Sequence, residues 1–200
     1  MVGLVGLLLT ACTHALIVAE PPGPGELRRP ARSYSYPVGE YFAPSVAWIA
    51  GTARFTTLAC GSHEFPYSVG SGMADLLREI DRASFSRVEP LDGPSQEIAG
   101  VRRSILFELA EMRVSLSSDR ISWGTARRAA KAELEIRVVL SIDGRRVPLE
   151  TVTGRGNVQD LGSFFDGCGA IADVIPIAIR QSLRAAAANY MTRLEDPKRF

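Results

Sequence analysis

Ala132, Leu134, Ile136, Val138, Leu140 and Ile142 occupy alternate positions, with Glu133, Glu135 and Arg137 among the residues between them. A period of two is the pattern of a strand with one face buried and one face wet. Asp143-Gly144 follows at once, a pair suited to a tight hairpin turn. A return strand is therefore predicted over roughly Val147 to Gly154, and Pro148, which has no N–H, suggests an edge position at its start. Upstream, Ile105, Phe107 and Leu109 alternate, then Met112, Val114 and Leu116 alternate with the phase shifted by one. A β-bulge near Ala110–Glu111 reconciles the two halves. This much apolar alternation commits the chain to a sheet, one face of which must be covered.

Two segments can cover it. Val69, Met73, Leu76, Leu77 and Ile80 share one helix face, with Ser68 or Ser71 as a cap and Asp75, Arg78, Glu79 and Arg82 opposite. Val174, Ile175, Ala178, Ile179, Leu183, Ala186, Ala187, Tyr190 and Leu194 form a second face. Asp173 is its N-cap candidate, which puts Pro176 in the first turn, where proline is tolerated. Thr52–Ala59 and Phe85–Leu91 read as strands, "CGSHEFPYS" as a loop and "DGPSQ" as a turn. The stretch "SSDRISWGTARRAAK" has no clear pattern. The expected fold class is α+β: a two-layer sandwich, mostly antiparallel, with two helices packed on one face. If the strands flanking the first helix lie parallel in one sheet, their crossover should be right-handed.

Residues 1 to 19 carry no Lys, Arg, Asp or Glu. A buried core helix does not fit a run that ends in "PPGPG". A membrane helix needs about 20 apolar residues, which this run barely supplies. An export signal needs an apolar stretch of about 7–15 residues and small residues at the cut; Val2–Leu9 and Thr10-Ala11 supply both. From Glu20 to about Pro44 the chain is rich in Pro, Gly, Ser and Tyr and reads as an extended tether. Its aromatics Tyr34, Tyr36, Tyr41 and Phe42 are expected to pack on the chain's own domain.

Leu9-Thr10-Ala11-Cys12 resembles the lipobox of bacterial lipoproteins. The resemblance implies removal of 1–11 as a signal peptide and acylation of Cys12, the first mature residue. Several acyl chains hold a protein in a bilayer more stably than one. Thr13, in place of the aspartate that retains enteric lipoproteins in the inner membrane, implies the outer membrane. The implied organisation is 1–11 signal peptide, 12–44 lipidated N-terminus and tether, 45–196 α+β domain and 197–200 tail. The element order, with "SIDGRRVPLETVTGRG" before a Cys-containing loop and an Ala-rich helix, is similar to small envelope lipoproteins. These have a fold like the amino-terminal domain of TolB; auxiliary lipoproteins of ABC-type lipid transport and polysaccharide-export lipoproteins are examples. No functional residues carry over from that resemblance.

The chemistry legible in the residues is sparse. The 200 residues carry 23 basic and 22 acidic side chains, a net charge of +1 that argues against a dedicated nucleic-acid binder. The small clusters Arg102–Arg103, Arg127–Arg128–Lys131 and Arg145–Arg146 read as solvated surface charge, as do Glu133 and Glu135. Cys60 and Cys168 are either a disulfide or two separate buried thiols; export favours the disulfide. A metal or thiol site from Cys60, His63 and Cys168 is the sharper alternative, but it is short of the usual ligand number, and His63 reads as an exposed loop residue. "GCGAIA" (167–172) matches a dinucleotide pattern formally but follows a poor strand, so its glycines read as a turn. Trp48 and Trp123 could shape a ligand groove, but core or rim packing is the commoner place for lone tryptophans. No P-loop, nucleophile-elbow or HExxH pattern is present.

The expectation is therefore a non-enzymatic envelope lipoprotein without metal or cofactor. Its partners would be membrane lipid through Cys12, and envelope proteins or further copies of itself. A lipid or glycan carrier or sensor is the alternative reading, and a thiol or metal enzyme the weaker one.

Overall fold

The structure is a computed structural model that describes residues 12–56, 60–148, 151–163 and 166–196. The signal peptide and the tail read from the sequence lie outside the described residues.

The sheet is organised on one long hairpin. β7 (Arg103–Ser122) and β8 (Thr125–Ile142) pair antiparallel from end to end, from Arg103↔Ile142 to Ser122↔Thr125. The predicted bulge is present: the register shifts between Leu109 and Glu111. It keeps Ile105 and Phe107 buried before it and Val114 and Leu116 buried after it. The segment "SSDRISWGTARRAAK" is the far end of this hairpin, with Gly124 at φ +89° in the turn.

Two sets of strands flank the hairpin, one at each end. At the turn end, β4 (Ile49–Phe55) lies parallel to β7, and β5 (His63–Gly70) lies antiparallel to β4. At the other end, β3 (Tyr34–Phe42) lies parallel to β7, with β6 (Phe85–Pro90) parallel to β3. The helical turn α1 (Pro44–Ala47) joins β3 to β4. Across β8 lie β10 (Val152–Ser163) at the turn end and β9 (Arg145–Pro148) at the other, both antiparallel. β1 (Cys12–Thr13) and β2 (Ile17–Val18) run parallel to β5 along its outer side.

The α+β class therefore holds, but the sheet is mixed rather than mostly antiparallel. Parallel pairing arises because β3 and β4 both run alongside β7. The strands expected to flank α2 (Gly72–Ser84), β4 and β6, do run parallel in one sheet, but β5 stands between β4 and the helix and runs opposite to both.

Along β8 the even-numbered residues Ala130, Ala132, Leu134, Ile136, Val138 and Leu140 are buried. α3 (Val174–Leu194) covers them, lying on β8 and β10. Two glycines allow its close approach: a Cβ on Gly154 would stand 1.9 Å from the Ser182 carbonyl oxygen, and one on Gly156 1.9 Å from that of Ala178. α2 packs beside α3, and the two helices close one continuous core over the sheet. Asp173 precedes α3 as predicted, but it makes no capping hydrogen bond, because a 3-10 turn over Cys168–Asp173 already leads into the helix.

Several other readings are corrected. "CGSHEFPYS" is not a loop; most of it is β5. β1 and β2 leave a gap opposite Phe65 and Pro66, where proline has no N–H to offer a neighbour. The single return strand is two strands, β9 and β10, and β10 runs through the supposedly poor strand before "GCGAIA". The stretch 12–44 is no free tether. Ala19 and Val38 are buried, and β3 is integral to the sheet. The intervening segment is clamped to α3: Arg28 forks Glu195 at 2.8 and 2.7 Å, and Arg180 pairs with Glu26. Tyr34 stacks on Phe85 and Phe42 on Phe107, so these aromatics pack on their own domain. Trp48 and Trp123 are outside the core, 65% and 85% exposed. Arg128 is buried rather than solvated, because Asp160 and Asp166 offer it carboxylates at 3.4 and 3.7 Å.

Candidate functional site

Four residues singled out from the sequence gather at the turn end of the sheet. Cys12 is the register partner of His63 at the start of β5. Cys60, just before that strand, is joined by a disulfide to Cys168 at the start of the turn into α3, with Cα atoms 5.8 Å apart. His14 and His63 are hydrogen-bonded, Nε2 to Nδ1, at 2.8 Å. His14 also stacks on Phe65 with ring centroids 4.1 Å apart, and its backbone N–H donates to the Glu64 carbonyl. Gly169 lets the Cys168–Asp173 turn pass close by: a Cβ there would stand 3.3 Å from His14 Cε1.

This geometry rearranges the expected chemistry. The sulfurs of Cys60 and Cys168 are spent on each other, so neither is a thiolate for a nucleophile or a metal. His63 is a partly buried strand residue whose Nδ1 is engaged by His14, not an exposed loop residue. Among the described residues no group of three or more His, Cys, Asp and Glu side chains could hold a metal ion.

The strap that follows Cys12 has two sides. Ile17 and Ala19 face the core, while Leu16 and Val18 are 59% and 66% exposed. Ile177, at the start of α3, is also exposed and lines a shallow groove with Val18. An apolar surface thus lies on the strap directly downstream of Cys12. Among the described residues no helix is long and apolar enough to cross a membrane.

A second cluster was not anticipated. Tyr190 on α3 donates a 2.6 Å hydrogen bond to Asp81 Oδ1 on α2. Glu40 on β3 takes Arg78 at 3.2 Å through Oε2, the charge of Glu40 acts on Asp81, and Oε1 of Glu40 and Oδ2 of Asp81 are buried without a hydrogen-bond partner. Two buried carboxylates side by side repel each other, which favours a proton on one of them. Burial, then the charge of Glu40, pushes the Asp81 carboxyl well above its usual range; burial also raises Glu40, which Arg78 partly offsets. Of the two, Glu40 has a cation, Arg78, beside it, whereas Asp81 is fully buried and its charged form is the more disfavoured. The signal available in the sequence was position: Asp81 lies four residues after Leu77, on the apolar arc of the helix.

No family model matches the chain, and no curated protein matches its sequence. Solved structures similar to it include a protein of family DUF330 from Xanthomonas campestris, with 14% identity and a TM-score of 0.41, covering 88% of this chain and 92% of that one. A neuraminyllactose-binding hemagglutinin homolog from Helicobacter pylori has 7% identity and a TM-score of 0.43, covering 85% and 91%. A hypothetical protein from Chlamydia trachomatis has 9% identity and a TM-score of 0.36, covering 81% and 99%.

Proposed function

We propose that this chain is a bacterial envelope lipoprotein, anchored through acylated Cys12 and facing the periplasm from the outer membrane. In this reading its α+β domain, of the TolB amino-terminal type, is a non-enzymatic binding and assembly component of an envelope transport or export system. Its partners are envelope proteins or further copies of itself. The observation that carries the reading is the position of Cys12. It stands at one end of the sheet and continues into a strap fastened along β5, with Leu16 and Val18 on the outward side. A lipid on Cys12 would hold this end of the domain against the bilayer with little slack, and the exposed strap residues would add apolar contact.

A second reading, a carrier or sensor of a lipid or glycan, has one observation in its favour. A groove of about 630 Å³ runs between the 25–30 segment and α2, floored by Ile80 and Met191. Between sheet and helices, by contrast, side chains and the close approach at Gly154 and Gly156 fill the interior. That packing favours assembly over carriage.

The test is affinity purification of the native protein from detergent-solubilised membranes, with intact-mass analysis of its amino terminus. A first residue of diacylated Cys12, lost together with membrane retention in Cys12→Ser, is expected. An unmodified Met1 or a cut after Ala19 would overturn the lipoprotein reading, and co-purifying envelope proteins distinguish assembly from carriage.

A further inference from the structure

Two basic clusters far apart in sequence meet at the end of the sheet opposite Cys12. Arg103 opens β7 opposite Ile142 of β8; Ile142 in turn pairs with Arg145 of β9, and Ser141 with Arg146. The 91–104 segment faces this edge, and a concavity of about 460 Å³ lies between them. That volume is within the ordinary range of small-molecule sites.

The charges there do not balance locally. Arg102 forks Asp143 at 2.7 and 2.6 Å, which neutralises that pair. Arg103 has no carboxylate partner among the described residues. Its guanidinium lies 4.1 Å over the Tyr36 ring, and its Nε is buried without an acceptor. Arg146 has only long contacts, 3.4 Å to the Pro94 carbonyl and 3.4 Å to Ser95 Oγ. Glu97 is the one carboxylate left in the lining after the Arg102–Asp143 pair. Two guanidinium groups therefore face one carboxylate across a shared cavity. A partly buried cation without an acceptor costs free energy that an incoming anion recovers.

We propose that this concavity binds a phosphate group, held by Arg103 and Arg146. Planar guanidinium forks match the several oxygens of a phosphate. Ser95, Ser104 and Ser141 in the lining bring hydroxyl donors, and Leu91 offers an apolar wall for the carbon skeleton of an ester. The phosphate comes either from a free or sugar-borne phosphate or from a phospholipid headgroup. The inference does not rest on the lipoprotein reading, because the site lies at the other end of the sheet from Cys12.

The experiment is calorimetric titration of the full chain in detergent with sodium phosphate, and sedimentation with phosphatidylglycerol vesicles. Saturable binding is expected in at least one arm, weakened about tenfold or more in both Arg103→Gln and Arg146→Gln. Arg127→Gln, at the turn end, should bind like the parent. Thermal melts of each variant separate lost binding from lost folding, and Arg146→Gln carries the test if Arg103→Gln unfolds. Binding of inorganic phosphate identifies the free or sugar-borne source; binding of vesicles alone identifies the headgroup. No saturable binding in either arm overturns the proposal. So does equal binding of sodium acetate, or an equal loss in Arg127→Gln.

Discussion

Asp81 has no access to water, and that burial, with the charge of Glu40 beside it, raises its carboxyl well above the usual range. A group whose pKa is raised on folding contributes stability that is complete below its unfolded value and is lost as pH rises through the folded value. For Asp81 and Glu40 that loss begins near pH 4, where free carboxyls titrate. Asp81→Asn mimics the protonated acid: its carbonyl can still accept from Tyr190, and it carries no charge to repel Glu40. Urea titrations should find the variant gaining on the parent as pH rises from 4 to 8; a constant difference would contradict the raised pKa of Asp81. Gly156 makes the opposite kind of demand. Its replacement by alanine puts a methyl 1.9 Å from the Ala178 carbonyl oxygen, a backbone atom that cannot swing aside. α3 must lift from β10, at an expected cost of about 3 kcal/mol in the urea midpoint analysis. Cys60 and Cys168 close a separation of 108 residues. The chain-entropy model puts the stabilisation near an upper figure of about 4.7 kcal/mol. The double Ser variant should lose most of that and become insensitive to reductant.

At the scale of elements, the bulge at Ala110 sets which side chains of β7 are buried. A one-residue slip turns a whole strand segment over. Deletion of Ala110 would straighten the ladder and force either Ile105 and Phe107 or Val114 and Leu116 to the wrong face. Cooperative thermal unfolding should disappear. Ala110 is itself exposed, so Ala110→Ser should change stability by no more than about 0.5 kcal/mol. The strap is the other element with a distinct task. β1 and β2 cover the outer side of β5, a sheet edge that would otherwise offer unpaired backbone groups to another chain. Its outward residues Leu16 and Val18 are apolar and exposed, available for the proposed lipid contact.

The whole molecule has two chemically different ends. One gathers Cys12, the disulfide, the histidine pair and the exposed strap residues; the other gathers the arginines around their concavity. If Cys12 is acylated as proposed, an environment-sensitive fluorophore on Val18→Cys should shift to the blue when the protein is reconstituted into vesicles. The same label on Arg145→Cys should not shift if that end points away from the anchoring bilayer. Equal shifts at both positions would argue against this polarity.

What could be read from the residues alone was local and periodic. The alternation of β7 and β8, the bulge between their phases, the Asp143-Gly144 turn and the apolar faces of α2 and α3 were legible. Each depends on side chains a few positions apart meeting the same environment. β5 was not legible, because Pro66 and the surrounding breakers look like a loop until β4 on one side and the strap on the other supply its partners. β3 was hidden for the same reason among prolines, glycines and tyrosines. The parallel pairings, the burial of Asp81 beside Glu40, and the meeting of Arg103 with Arg146 depend on segments far apart in the chain. Local spacing carries no information about such encounters. The sequence by itself determined which faces must be buried and where the chain must turn; only the tertiary structure decided which strands became neighbours, because long-range pairing joins backbones whose local patterns do not name their partners.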